Sequence, residues 1–163
     1  MQFSQLDYHL LKCKQHLDAT LTRNTEVESY FVQYLLTRIC AEFETRIITI
    51  VQRRCSRMKD QHVKSFMKRG AKDATRQFNI SDLAGMLRRF GDDYKKTFHD
   101  AILNTPAHAA WDNIYNNRQA VAHGSGAQMS FGDLTTNYTE SLVVLDALIT
   151  ALCLKPHEIR GLK

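Results

Sequence analysis

The chain has 163 residues, with 22 Lys and Arg against 17 Asp and Glu, for a formal charge of +5. That length fits one domain, spanning 1–163, which can bury a core without covalent staples, since a domain near 150 residues hides roughly 70% of the surface its unfolded chain exposes. Two prolines and seven glycines are too few for the many tight turns of a β-sandwich, so the expected class is all-α. The basic balance, with a pI of about 9.1, favours anionic partners without specifying nucleic acid. Cys13, Cys40, Cys55 and Cys153 form no CxxC pair and follow no signal-peptide pattern. Free, buried thiols in a reducing cytoplasm are expected, with no cysteine-held zinc. The longest apolar run, "SLVVLDALITALCL", is too short for a membrane span and carries an aspartate.

Near the start, Phe3, Leu6, Leu10, Cys13, Leu17 and Leu21 recur at steps of three and four, predicting one apolar face of a helix of about five turns. In "RNTEVE", Thr25 and Glu28 have the spacing of a capping box. A long second helix is expected from Glu26 to near Lys59, carrying Phe31, Leu35, Ile39, Phe43, Ile47 and Ile50. Its "IITIV" run has strand propensity, but the surrounding helical period prevails.

The most basic segment comes next. Arg53, Arg54, Arg57, Lys59, Lys64, Lys68, Arg69, Lys72 and Arg76 face only Asp60 and Asp73. Two readings fit: a solvated helix end and loop, or a surface for a polyanion. Ser81 is the expected cap of a helix through "DLAGMLRRF", which Gly91 separates from "DDYKKTFHDAI". Thr105 as cap, Pro106 at the first helical position and Gly124 at the exit bound the helix that follows. Ser130 with Asp133 marks another start, and the last helix, about Leu134 to Leu154, is apolar nearly all round. Such a helix is buried centrally or shared with a partner subunit. The total is five or six helices, with no convincing strand pair and no internal repeat.

Within "NTPAHAAWDNIYNNRQAVAHGSG", a turn of about 100° per residue puts Trp111, Ile114, Tyr115, Arg118 and Ala122 on one face. Asp112, Asn116, Gln119 and His123 make a polar face beside it. Arg118 thus sits in an apolar stripe, an expensive place for a charge without a partner. A salt bridge to Glu44 or Glu42 on the long helix is one explanation. His123 lies about 140° round from Arg118 on a straight helix, so spacing alone does not make the two converge. A histidine at a helix end also has a structural role open to it, satisfying the last carbonyls and the macrodipole. The single tryptophan, Trp111, is expected in the core or a dimer seam rather than on a base.

Other chemistry is poorly represented. No Gly-rich phosphate loop, HExxH, GxSxG or paired-carboxylate spacing is present, and His9, His16, His62, His99, His108 and His157 are scattered. Neither a metal nor a cofactor is expected.

Arg118 and His123 do fit the R-x4-6-H signature of the HEPN superfamily, all-α domains of RNA-targeting enzymes in immunity and toxin–antitoxin systems. "AEFETRI" in a long helix, the central "FGDDYKKTF", "DNIYNNRQAVAHGSG", a capped restart and a terminal "LVVLDALI" helix together resemble the RiboL-PSP type of HEPN domain, from about Val27 to Leu154. The resemblance implies a HEPN-like helical bundle forming a two-fold homodimer, whose motif helices meet in a composite cleft of two arginines and two histidines. It implies a metal-independent endoribonuclease, in which a ribose 2′-hydroxyl attacks the adjacent phosphorus. His123 would move the proton and Arg118 would hold the phosphoryl oxygens. The chain departs from the family's pattern after the arginine, where many active members have a small polar residue, often asparagine. Here Gln119 keeps the amide with one more methylene, and Asn117 precedes the arginine, so both are candidates to position phosphate, with Glu44 in support. Arg53, Arg54, Arg57, Lys64, Lys68 and Arg69 are candidate RNA contacts. The alternative is a non-catalytic HEPN module, keeping Arg118 for structure and partnering a nucleotidyltransferase-like antitoxin or another defence protein.

Overall fold

The structure, a computed structural model, describes residues 4–74 and 78–154; Phe3, Arg76, His157 and the side chain of Lys72 lie outside the described residues. The helices are α1 (Ser4–Thr20), α2 (Glu26–Cys55), α3 (Gln61–Ala74), α4 (Ile80–Arg88), α5 (Asp92–Ile102), α6 (Ala107–Ala122) and α7 (Phe131–Ala151). The described residues are all-α, with seven helices rather than five or six, and contain no strand. The extra helix is α3, in the stretch that composition alone left as helix end or loop. Its stripe of Met67 and Ala71 turns to the body of the protein. Asp60 starts it, the carboxylate accepting from the amides of His62 (2.8 Å) and Val63 (3.0 Å).

The expected apolar faces are largely buried. Leu6, Leu10, Cys13 and Leu17 hold α1 against the core, but the helix stops at Thr20. Leu21 follows in a left-handed conformation (φ 53°) and is 87% exposed, so it does not extend that face. Leu35, Ile39, Phe43, Ile47 and Ile50 line the buried side of α2, which ends at Cys55, short of Lys59.

The capping box at Thr25 and Glu28 does not form. Thr25 is the N-cap, but its hydroxyl donates to the Thr22 carbonyl (2.7 Å) rather than accepting from the helix. Glu28 instead reaches one residue further back, to the Asn24 amide, and across to the Phe131 amide (2.7 Å). A buried carboxylate thereby gains amides at the starts of two helices, which a reciprocal box with Thr25 would not supply. Those bonds, Asn24's first and Phe131's second, hold its pKa below the ordinary carboxylate range.

Two further starts shift. Asn79, not Ser81, caps α4, its side chain accepting from the Asp82 amide (2.8 Å); Ser81 lies inside the first turn. Pro106 is the N-cap of α6 rather than its first residue, with Thr105 Oγ1 accepting from Ala107 at 3.4 Å. At α7 the expected box does form: Ser130 and Asp133 each accept from the other's amide, and the helix begins at Phe131, three residues before Leu134.

Helix α7 packs on α2, α5 and α6, which buries most of its apolar residues within one chain, though Val143 stays exposed. At the centre, Trp111 lies flat on Phe43 (4.6 Å between centroids, 3° between planes), and its indole N–H donates to the Phe78 carbonyl. Tyr138 stacks beyond Phe43 at 6.2 Å and its hydroxyl donates to Asp7 at 2.9 Å. The four cysteines are free, but only Cys13, Cys40 and Cys55 are buried. Cys153 is exposed because α7 ends before it and the chain turns through a left-handed conformation there (φ 53°).

Candidate functional site

Helix α6 changes character along its length. Ala107, Ala110, Trp111 and Ile114 are buried, Tyr115 and Arg118 are half-buried, and Ala122 and His123 are exposed. The apolar stripe thus lifts out of the core as it approaches the motif, and Arg118 sits where it emerges.

No carboxylate lies within ion-pair distance of Arg118 among the described residues. Glu42 pairs with Arg46 at 2.9 Å, one turn along α2, and the one hydrogen bond given to the Arg118 side chain runs to the neighbouring Gln119 Oε1 at 3.3 Å. Burial pushes the Cys40 thiol up to about 12, while the charge of Arg118 pulls it down and that of Glu44 pushes it up. Arg118 and Glu44 therefore both act on one buried point of α2 without forming a pair. Glu44 is half-buried.

His123 occupies the C-cap (φ −92°, ψ 7°), one residue past the helix. The last carbonyls of α6 are taken by backbone amides. His123 donates to Gln119 (3.0 Å), Gly124 to Val121 (3.1 Å) and Ser125 to Ala120 (2.9 Å), with Gly124 at φ +80°. This is a Schellman closure, and the positive φ is why glycine stands at 124. The imidazole makes no hydrogen bond to a carbonyl of the helix among the described residues. It is exposed and unbonded among the described residues.

The other members of the expected set divide. Gln119 touches Arg118 directly. Asn117 ties the following loop to the helix, its Oδ1 accepting from the Gln128 amide (2.7 Å) and its Nδ2 donating to the Asn113 carbonyl (3.0 Å). Segment 123–131 is thus fastened by the Schellman bonds, by Asn117 and by Glu28, which holds the Phe131 amide. The His123 ring is free, but the chain carrying it is held.

The basic segment is not one continuous free surface. Arg54 donates to the Tyr94 hydroxyl (2.7 Å) and lies over its ring (5.6 Å), and Arg57 donates to the Cys153 carbonyl (2.8 Å). Arg53 and Lys64 are half-buried, while Lys68 and Arg69 are exposed on α3. Helix α3, which carries Lys64, Lys68 and Arg69, packs chiefly on α2, whereas Arg118 lies on α6. Beside α3, Val51, Cys55, Met67, Met86 and Phe90 line an apolar cleft of about 300 Å³, and Phe66 stands 74% exposed at its edge. Among the described residues no group of three or more His, Cys, Asp or Glu gathers as metal ligands, and no helix is long and apolar enough to cross a membrane.

Arg118 and His123 thus lie at the end of α6, which packs against the long α2 and against α7. The family model RiboL-PSP-HEPN matches residues 3–154. The chain belongs to that family. Comparison with curated proteins and with solved structures gave no match. The HEPN match begins earlier than Val27 and takes in α1, which the sequence motifs had left out. Sequence reasoning also missed that Glu28 closes the far side of the loop after α6 by holding the Phe131 amide. Its signal was the capping-box spacing to Thr25, which pointed only to a local partner.

Proposed function

We propose that this HEPN domain is a metal-independent endoribonuclease of a toxin or antiviral defence system, active as a homodimer in which the ends of two α6 helices meet. The observation that carries the reading is Arg118: half-buried, with no ion-pair partner among the described residues, on the same helix end as an unbonded His123. A partly desolvated guanidinium without a carboxylate is costly unless an anion completes it, and an RNA phosphate is an anion of the right geometry for its fork of donors. The ribose 2′-hydroxyl attacks the adjacent phosphorus as the bond to the 5′-oxygen breaks, leaving a 2′,3′-cyclic phosphate and a 5′-hydroxyl. His123 takes or gives the proton, worth about 10²–10⁴ in rate, and Arg118 bears the charge that builds on the phosphoryl oxygens. Gln119 orients the guanidinium from the side. The exposed Lys68 and Arg69 add phosphate contacts, which makes RNA binding weaken steeply with salt.

The test is cleavage of RNA in excess chelator by wild type, His123→Ala and Arg118→Ala, each checked for folding. Cyclic-phosphate ends from wild type, reduced at least about 100-fold in both variants, are expected. A second reading, a non-catalytic module docking an antitoxin or other defence protein, has its own support in the apolar cleft beside exposed Phe66. Loss of His123 would leave such a module intact, and no cleavage by any of the three proteins would favour it.

A further inference from the structure

A groove of about 340 Å³ runs between the last turns of α6 and the first turns of α7, within the size range of small-ligand sites. Its walls are mostly polar: Asn113 and Asn117 from α6, Gln128 from the loop after His123, and Asp133, Thr136 and Asn137 from α7, with Met129 the one apolar residue among them. Three of these side chains, Asn113, Thr136 and Asn137, make no hydrogen bond among the described residues, although Asn137 is half-buried. The groove contains no cation. Asp133 gives one carboxylate oxygen to Ser130, accepting from its amide (3.1 Å) and its hydroxyl (2.7 Å). Those bonds, the hydroxyl's first, hold its pKa below the usual range, so it stays charged.

A phosphate does not fit that lining, because a carboxylate would repel it. A nucleobase does. Carboxamides carry donor and acceptor side by side, matching base edges in pairs, and single-stranded RNA is read by hydrogen bonds to the edges of splayed-out bases. The groove also adjoins the segment that holds His123, since Asn117 bonds the Gln128 amide. We propose that the Asn113–Asn137 groove is a nucleobase subsite, receiving an unpaired base next to the cleaved phosphate and setting where the RNA is cut. The carboxylate of Asp133 favours a base that presents an amino group, adenine, cytosine or guanine, over uracil, whose single ring N–H is flanked by two carbonyl oxygens. This rests on the nuclease reading for its place in the reaction, but binding alone tests it.

The probes are fully 2′-O-methylated hexamers of A, C and U, which lack the attacking hydroxyl and so remain uncut. Their affinities are measured by fluorescence anisotropy for wild type, Asn113→Ala and Asn137→Ala, with NMR of the side-chain amides on titration. The expected result is that the A or C hexamer binds wild type about tenfold tighter than the U hexamer, one good paired contact's worth of discrimination. The preference should shrink to threefold or less in both variants, and the Asn137 amide signals should shift on binding. Equal affinities for wild type, or a preference unchanged in both variants, overturns the subsite. Cleavage of unmodified RNA is scored separately. Cutting without base preference keeps the nuclease and discards the subsite; base preference without cutting keeps the subsite and discards the nuclease.

Discussion

The two halves of α6 are built on opposite terms. In the first half, Trp111 is 1% exposed, stacked on Phe43 and hydrogen-bonded to Phe78, while Asp112 accepts from the Ile80 amide at 3.1 Å. Polar and apolar groups alike are satisfied inside the fold. In the second half the Arg118 side chain hydrogen-bonds only to its sequence neighbour and the His123 ring makes no hydrogen bond among the described residues, yet the backbone around them is pinned. The lesson is that a helix end can fix its main chain while leaving side-chain polar atoms without internal partners.

The largest effect comes from attacking the first half. Trp111→Ala is expected to cost about 4 kcal/mol, the usual loss for emptying a large aromatic site, read as a drop in the urea midpoint. Arg118→Ala should stay within about 1 kcal/mol of wild type, since no ion pair is lost and only stem packing goes. If Arg118→Ala unfolds as easily as Trp111→Ala, the guanidinium is structural and the contrast between the halves collapses.

Glu28→Ala comes next, because it removes a buried carboxylate that accepts from Asn24 and Phe131. Two charge-assisted bonds are lost, and about 3 kcal/mol at neutral pH is expected. The sign with pH follows from its depressed pKa. Its stabilisation is fully present above the unfolded value, about 4.3, and fades as pH falls through the lower folded value. Denaturation profiles between neutral pH and about pH 3 should therefore show a wild-type decline on acidification that is smaller in Glu28→Ala. Equal slopes would mean that Glu28 holds no charge-dependent tie on the motif loop.

Much of this was legible in the sequence, and the limits follow from range. Periodicity located α1, α2 and the α6–α7 pair because an apolar stripe is a local pattern, and the Ser130–Asp133 box was readable because both partners lie within one turn. Glu28 was misassigned because its second partner is 103 residues away. The helix α3 was hidden by charge, its apolar positions being few among lysines and arginines. At the site, the R-x4-H spacing was visible from the start. What it did not contain was the division of labour around it, with Gln119 on the guanidinium and Asn117 on the loop. The pull of the Arg118 charge on the buried Cys40 thiol was likewise invisible, as it depends on how α2 packs against α6.

A smaller effect tests the pinning itself. Gly124 closes α6 at φ +80°, and although a Cβ there would meet nothing within 4 Å, the backbone conformation disfavours it. Gly124→Ala should cost about 1 kcal/mol and, on the nuclease reading, lower cleavage more than that loss of stability explains, because His123 moves with the turn. Cleavage unchanged at a measured stability loss would show that the position of His123 tolerates a loosened end.

The smallest expected change has the opposite sign. Ser141, in the middle of α7, is fully buried and its hydroxyl has no partner. It is an exception to the rule just drawn for the core, where polar atoms are otherwise largely paired. A serine in a helix commonly returns its proton to the carbonyl four residues back, and here it does not. Ser141→Ala removes an unsatisfied group and a residue of lower helix propensity together, so stability should rise by about 1 kcal/mol and Tm by about 3 °C. A fall instead would mean that the hydroxyl finds an acceptor within α7 in solution. The contrast would then tighten, with α7 leaving no buried hydroxyl unpaired while the end of α6 keeps its polar atoms open.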